Sequence, residues 1–221
     1  MNKRKQLIIV GAGGHAKVLI ATLRACREPI VGILDRDSKN EATSILSVRV
    51  IGNDDTILQH RPSDVLLVNG IGAVSSLAHR SDVFRKFHAL GYHFQTVIHP
   101  SAVCSEQVSL GEGVQVMAGA VIQPGTVVGD NTILNTMMSI DHDCTIGSHV
   151  HIAPGATLSG GVSVGEGTHI GTGAVVIQNV SIGGNCLIAA GAVVVHDVPD
   201  CTSVAGVPAR KMRGSTRGPR R

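Results

Sequence analysis

Aromatic side chains are nearly missing from this 221-residue chain, which has no Trp, one Tyr and three Phe. All four (Phe84, Phe87, Tyr92, Phe94) fall in one short stretch. Base stacking on an aromatic platform, and with it single-stranded nucleic-acid binding, is not expected. Charge is sparse too, at 16% against 43% hydrophobic, which argues against a disordered chain or a solvated coiled coil. Glycine is abundant, but no G-X-Y period accompanies it, so collagen is excluded. The five cysteines (Cys26, Cys104, Cys144, Cys186, Cys201) form no C-x-x-C pair. Neither a zinc ribbon nor a disulfide framework is suggested, and a reduced, cytoplasmic setting fits. No apolar run is long enough for a membrane span. The run from Leu7 to Val10 is too short for the core of a signal peptide.

The formal charge of +3 is concentrated at one end. Arg210, Lys211, Arg213, Arg217, Arg220 and Arg221 form a basic tail, and the rest of the chain carries 13 basic against 16 acidic residues. A mildly acidic body with a basic tail is not a nucleic-acid footprint, which needs a basic face on the folded part. The tail reads as a solvated end.

Two halves differ in periodicity. Up to about residue 97, strand-like and helix-like segments alternate. Gln6–Val10, Ile30–Leu34, Val65–Val68 and Phe94–Ile98 read as strands, and Gly14–Arg27 and Asp82–Leu90 as helices. That order predicts a small parallel α/β domain over 1–97. Gly11-Ala12-Gly13-Gly14-His15-Ala16 follows the first strand and opens a helix, and Asp35 ends the second strand. Glycines there let the backbone approach a phosphate at a helix N-terminus, and an acid at that spacing suits a ribose hydroxyl. The motif alone is compatible with a dinucleotide, a nucleotide-sugar diphosphate or a turn kept for packing. The shortness of this half, with no second mononucleotide-binding unit, favours the nucleotide sugar.

From Ile98 to Ile188 every sixth residue is aliphatic, with Cys104 the one exception among sixteen positions. The residue four places later is small or β-branched, with Met138 the exception. A fixed period of this length means a solenoid, and helices cannot keep a period of six. Strand alternation points both columns inward, so Cys144 and Cys186 are expected to be core residues. Seven of the sixteen outward mid-strand residues are aliphatic, among them Val103, Val127 and Ile133. This pattern predicts self-association along the solenoid faces. The expected organisation is a β-helix over 98–198 followed by a C-terminal segment over 199–221.

The hexad Ile146-Gly147-Ser148-His149-Val150-His151 resembles the repeat of the hexapeptide acyltransferases, as does the ending Val204-Ala205-Gly206-Val207-Pro208-Ala209. Together with Ile98-His99-Pro100-Ser101-Ala102 and Asp141-His142-Asp143-Cys144, the whole chain resembles the bacterial sugar acetyltransferases of the PglD/NeuD type. The resemblance implies a Rossmann-like α/β domain followed by a left-handed parallel β-helix assembled as a homotrimer. The hand comes from the resemblance alone, since parallel crossovers are otherwise right-handed. It further implies acetyl-CoA as co-substrate, no metal, and N-acetylation of the 4-amino group of a nucleotide-linked 4-amino-4,6-dideoxy sugar.

Site residues follow from the same resemblance. Gly13, Gly14, His15, Asp35 and Gly72 would hold the nucleotide sugar. Arg36 stands where relatives can carry a second acid, which leaves the base and sugar preference open. Asn135, His151, Gly160, Thr172 and Ala190 would contact acetyl-CoA. His142 would be the general base, supported by Asp143. From the hexad pattern alone, His142 reads first as a solvated corner residue, an order that the resemblance reverses, and His169 reads as a surface or interface histidine. Three alternatives stand beside this reading: sugar O-acetylation on the same fold, a trimeric zinc enzyme of the γ-carbonic-anhydrase kind using His142, His149, His151 and His169, and a non-catalytic nucleotide-sugar binding subunit.

Overall fold

The computed structural model describes residues 5–36, 44–73 and 77–212. The chain divides into two compact units, Met1–Pro100 and Ser101–Arg221. Most of the basic tail lies outside the described residues. None of the described helices is long and apolar enough to cross a membrane.

The first unit is an α/β sheet built on β1 (Gln6–Val10), α1 (Gly14–Ala25), β2 (Ile30–Leu34), β3 (Ser44–Ile45), β4 (Val48–Gly52), β5 (Val65–Asn69) and α2 (Leu77–Ala89). The sheet order is β3-β4-β2-β1-β5. β1 pairs in parallel with β2 on one side and β5 on the other, while β3 joins antiparallel. The chain therefore reverses direction across the sheet at β1, which opens a crevice beyond the carboxyl ends of β1 and β5. The core sits on Ile8, Val10, Leu67, Phe84, Phe87 and Phe94, which collects all the Phe side chains in one cluster.

Three sequence expectations need correction here. The β3–β4 hairpin was not legible, because its turn is Leu46-Ser47, both at positive φ, rather than a recognisable Asn-Gly pair. α2 begins at Leu77, more than a turn before Asp82, and its first turn, Leu77-Ala78-His79-Arg80, carries no acid to mark a helix start. The segment from Phe94 is not a continuous strand. Only Val97–Ile98 is, and Phe94 makes one bridge to Leu67 while its ring packs 4.6 Å from Phe84.

The second unit is a triangular parallel β-helix. Two-residue strands stack with an 18-residue offset, as in Val103–Val121–Ser139–Thr157 on one face and Ile133–His151–His169–Leu187 on another. One coil is thus three hexads. The inward columns are buried continuously from Val114 to Val204. Ile98, expected to open the inward column, is exposed, and the packed interior starts at the half-buried Cys104. Ile133, counted as an outward apolar residue, is buried within the chain together with its face neighbours Gln115 and His151. Val103, Val127 and Val175 remain exposed.

Buried hydroxyls in the inward column donate to carbonyls one turn on: Thr126 to Asp141 O at 3.0 Å, Thr132 to Gly147 O at 2.9 Å, Thr168 to Gly183 O at 2.7 Å. Every hexad from residue 113 to 191 places one residue in the left-handed region at the same slot. Glycine or Asn fills it throughout except at Met137, Asp143 and His149, all near φ +58. Strained non-glycine residues of this kind cluster at functional sites.

Candidate active site

His142 stands at the corner that follows Ile140, with its ring held by Asp143 and Gly160 and its backbone by Asp141. Nδ1 lies 2.8 Å from Asp143 Oδ2, and the His142 backbone N–H donates to Asp141 Oδ1 at 2.9 Å. One coil further on, Gly160 lies beneath the imidazole, because a Cβ there would come within 2.7 Å of Cε1 and Nε2. Asp143 is placed in the same way over Gly125 of the preceding coil, and its backbone N–H donates to Pro124 O at 3.0 Å. Both side chains are exposed, at 63% and 73%. The hydrogen bond to Asp143, with the charge of Asp141 behind it, holds the His142 pKa above the ordinary histidine value. An imidazole with Nδ1–H tied to a carboxylate presents Nε2 outward as a base.

Cys144 is adjacent in sequence yet faces the interior. Its Sγ donates to Ser159 O at 3.3 Å, repeating the bond that Thr126 makes one coil earlier. Burial pushes its thiol pKa up, which disfavours the nucleophilic thiolate.

The expected acetyl-CoA residues divide. Gly160 belongs with His142. Asn135, His151, Thr172 and Ala190 belong to a different face and edge of the prism. Asn135 Nδ2 donates to His151 Nε2 at 3.0 Å, and His151 Nδ1 lies 3.2 Å from His169 Nδ1. Thr172 and Ala190 are exposed corner residues in successive coils, and Gly191 N donates to Thr172 O at 2.9 Å. His149 is buried at a third edge, where Asn131 Nδ2 donates to its Nδ1 at 2.9 Å. Of the histidines that a zinc site would need, only His151 and His169 face one another in one chain.

A cavity of about 220 Å³ lies in the α/β unit at the carboxyl ends of the strands. Gly13 and Asp35 line it after β1 and β2, Asp54 after β4, and Gly72 after β5, as expected for three of the four. Gly14 and His15 lie just behind the lining. A Cβ on Gly72 would sit 3.4 Å from His15 Cβ, which brings the two glycine turns together. Gly13 caps α1 without a side-chain bond, and no acid occupies the first turn. A Cβ on Gly13 or Gly14 would meet nothing within 4 Å. Internal packing therefore does not require these glycines, whereas close approach of an anion to the helix N-terminus would.

Sequence reasoning did not single out Asp54, His79 or Arg80. Arg80 is fully buried, and its Nη1 donates to Asn69 O and Ile71 O at 2.8 Å each, bracing the turn that carries Gly72. Burial lowers its pKa to about 9. The available signal was a cation on the same helical stripe as Val83, Phe84 and Phe87.

Comparison with known proteins agrees with both halves. Residues 6–87 match the PglD N-terminal domain family. The chain is similar to perosamine N-acetyltransferase from Caulobacter crescentus, solved as a histidine-to-asparagine variant with CoA and GDP-perosamine. Identity is 42%, coverage is 94% of this chain and 96% of that one, and the TM-score is 0.88. It is also similar to the acetyltransferase domain of PglB from Neisseria gonorrhoeae FA1090 in complex with acetyl coenzyme A, at 36% identity, 95% and 100% coverage and a TM-score of 0.87. A UDP-N-acetylglucosamine O-acyltransferase from Brucella anthropi is 38% identical over 64 residues, so the match spans 29% of this chain and 23% of that curated relative. With an N-terminal α/β domain and a left-handed β-helix of hexapeptide repeats, matched over nearly its full length, the chain belongs to the PglD-type sugar N-acetyltransferases of the hexapeptide-repeat superfamily.

Proposed function

We propose that this protein transfers the acetyl group of acetyl-CoA to the 4-amino group of a nucleotide-linked 4-amino-4,6-dideoxy sugar, with His142 as general base. The observation that carries the reading is the exposed His142–Asp143 pair at 2.8 Å, with Cε1 and Nε2 of the ring seated over Gly160. The sugar amine attacks the thioester carbonyl, a C–N bond forms, and the C–S bond breaks to release CoA. His142 Nε2 takes the amine proton, and Asp143 stabilises the imidazolium. General-base catalysis of this kind contributes about 10²–10⁴-fold.

Asn135, His151, Thr172 and Ala190 contact acetyl-CoA in this reading. Their position on a different face from His142 supports a site shared between neighbouring copies of a homotrimer, and exposed Val103, Val127 and Val175 supply apolar surface for it. In the α/β unit, the diphosphate sits at Gly13 and Gly14, Asp35 accepts from a ribose hydroxyl, and Gly72 and His15 close the far side. The GDP-sugar bound by the Caulobacter relative makes a GDP-linked amino sugar the first substrate to test. Free cysteines throughout fit the cytoplasm.

The test is thiol release from acetyl-CoA with GDP-, UDP- and dTDP-linked 4-amino sugars, with mass spectrometry of the product. An alkali-stable amide with one of them is expected. An alkali-labile ester would mean O-acetylation, and no thiol release with any would overturn the proposal.

A further inference from the structure

Three polar side chains lie in a row across the second face of the β-helix. Asn135 is followed by His151, and His151 is paired across adjacent strands with His169. The two imidazole centroids are 4.8 Å apart and the rings are edge-to-face. The proton positions in this row follow from its first member. Asn135 Oδ1 accepts from the Thr136 backbone N–H at 2.8 Å, which fixes the amide orientation. The group turned toward His151 is then Nδ2, which can only donate. His151 Nε2 is consequently an acceptor, and the single proton of the neutral ring sits on Nδ1. That proton points at His169 Nδ1, 3.2 Å away, which must accept it.

We infer that His169 is a positioning residue that holds the proton of His151 on Nδ1 and, through His151 Nε2, pins the Asn135 amide in one orientation. The relay runs from Thr136 N–H to Asn135, to His151, to His169. It consumes one Asn135 Nδ2 hydrogen and leaves the second as a fixed donor for a carbonyl or phosphate oxygen. A free histidine side chain favours the opposite tautomer, with the proton on Nε2, which would set two donors against each other at the Asn135 contact. His169 supplies the acceptor that makes the less favoured tautomer the stable one. The consequence for catalysis rests on the reading of Asn135 and His151 as acetyl-CoA contacts; the proton assignment does not.

The experiment records long-range imidazole ¹H–¹⁵N spectra of the full chain at pH 8, with His151 signals identified by their loss in His151→Gln. It compares wild type with His169→Leu and His169→Gln, the latter retaining an amide oxygen that accepts. Wild type should show His151 protonated on Nδ1. His169→Leu should move the population toward Nε2–H and raise the KM for acetyl-CoA roughly three- to tenfold, with the nucleotide-sugar KM unchanged. His169→Gln should recover both. An Nε2–H tautomer in wild type or an unchanged tautomer in His169→Leu would overturn the assignment of His169; a shifted tautomer with an unchanged acetyl-CoA KM would uphold the proton assignment and overturn only its consequence for acetyl-CoA. If His151→Gln itself leaves acetyl-CoA binding untouched, what fails is the acetyl-CoA reading of this face, a separate result from the tautomer measurement.

Discussion

Gly160 and His142, 18 positions apart and one coil apart, occupy each other's space: the volume a Cβ would take at Gly160 is filled by Cε1 and Nε2 of the imidazole. The glycine is needed because the ring lies on it. Its backbone is not among those at positive φ. Gly160→Ala should therefore leave the β-helix intact and push the exposed ring off its seat. The expected result is an unchanged melting temperature with kcat lower by about 10–100-fold, since a misplacement of about 1 Å can cost two orders of magnitude. Steady-state kinetics together with calorimetry would show it.

The raised pKa of His142 gives a pH signature. As base, the imidazole must be neutral, so activity should rise with pH through a midpoint above the ordinary histidine value of about 6.5. The Asp143 hydrogen bond is the largest cause of the shift and Asp141 the next. Asp143→Asn should lower the midpoint of the acid limb of kcat/KM while reducing the plateau. A midpoint that stays in place would remove Asp143 from this role.

Cys144 serves the core. Cys144→Ala should retain kcat and KM while lowering stability by about 1 kcal/mol, the scale of a small buried truncation plus one weak hydrogen bond. Loss of activity in a folded variant, or acetylation of Cys144 detected by mass spectrometry, would point to an acyl-cysteine route.

Arg80 braces the turn after β5 that helps line the α/β cavity. Its guanidinium braces Asn69 and Ile71 from below the cavity. Arg80→Met leaves two carbonyls without this donor, at a cost of about 1–3 kcal/mol. We expect a higher KM for the nucleotide sugar with the acetyl-CoA KM unchanged. Equal effects on both would mean global loosening.

Much of the β-helix was legible because burial is periodic. Fifteen aliphatic residues and one Cys at a spacing of six leave one way to face inward, and Cys144 and Cys186 took their places with them. The outward column was less legible. Ile133 looks like Val127 in sequence, but one is buried and the other exposed. In the α/β unit, β1, β2 and the glycine turn were readable from short apolar runs. The Leu46-Ser47 hairpin and the start of α2, which has no acid in its first turn, carry no such signal.

The sequence by itself determined the solenoid, the α/β half before it and the corner position of His142, since hydrophobic burial acts without direction and needs only spacing. Which groups meet was decided in three dimensions. His142 on Gly160, Asn135 with His151 and His169, and Arg80 under the Gly72 turn are directional contacts between residues 9 to 18 apart or between separate strands. They exist only once the coils stack in register and the strand ends converge, because a hydrogen bond requires a partner at a set distance and angle, which no local pattern encodes.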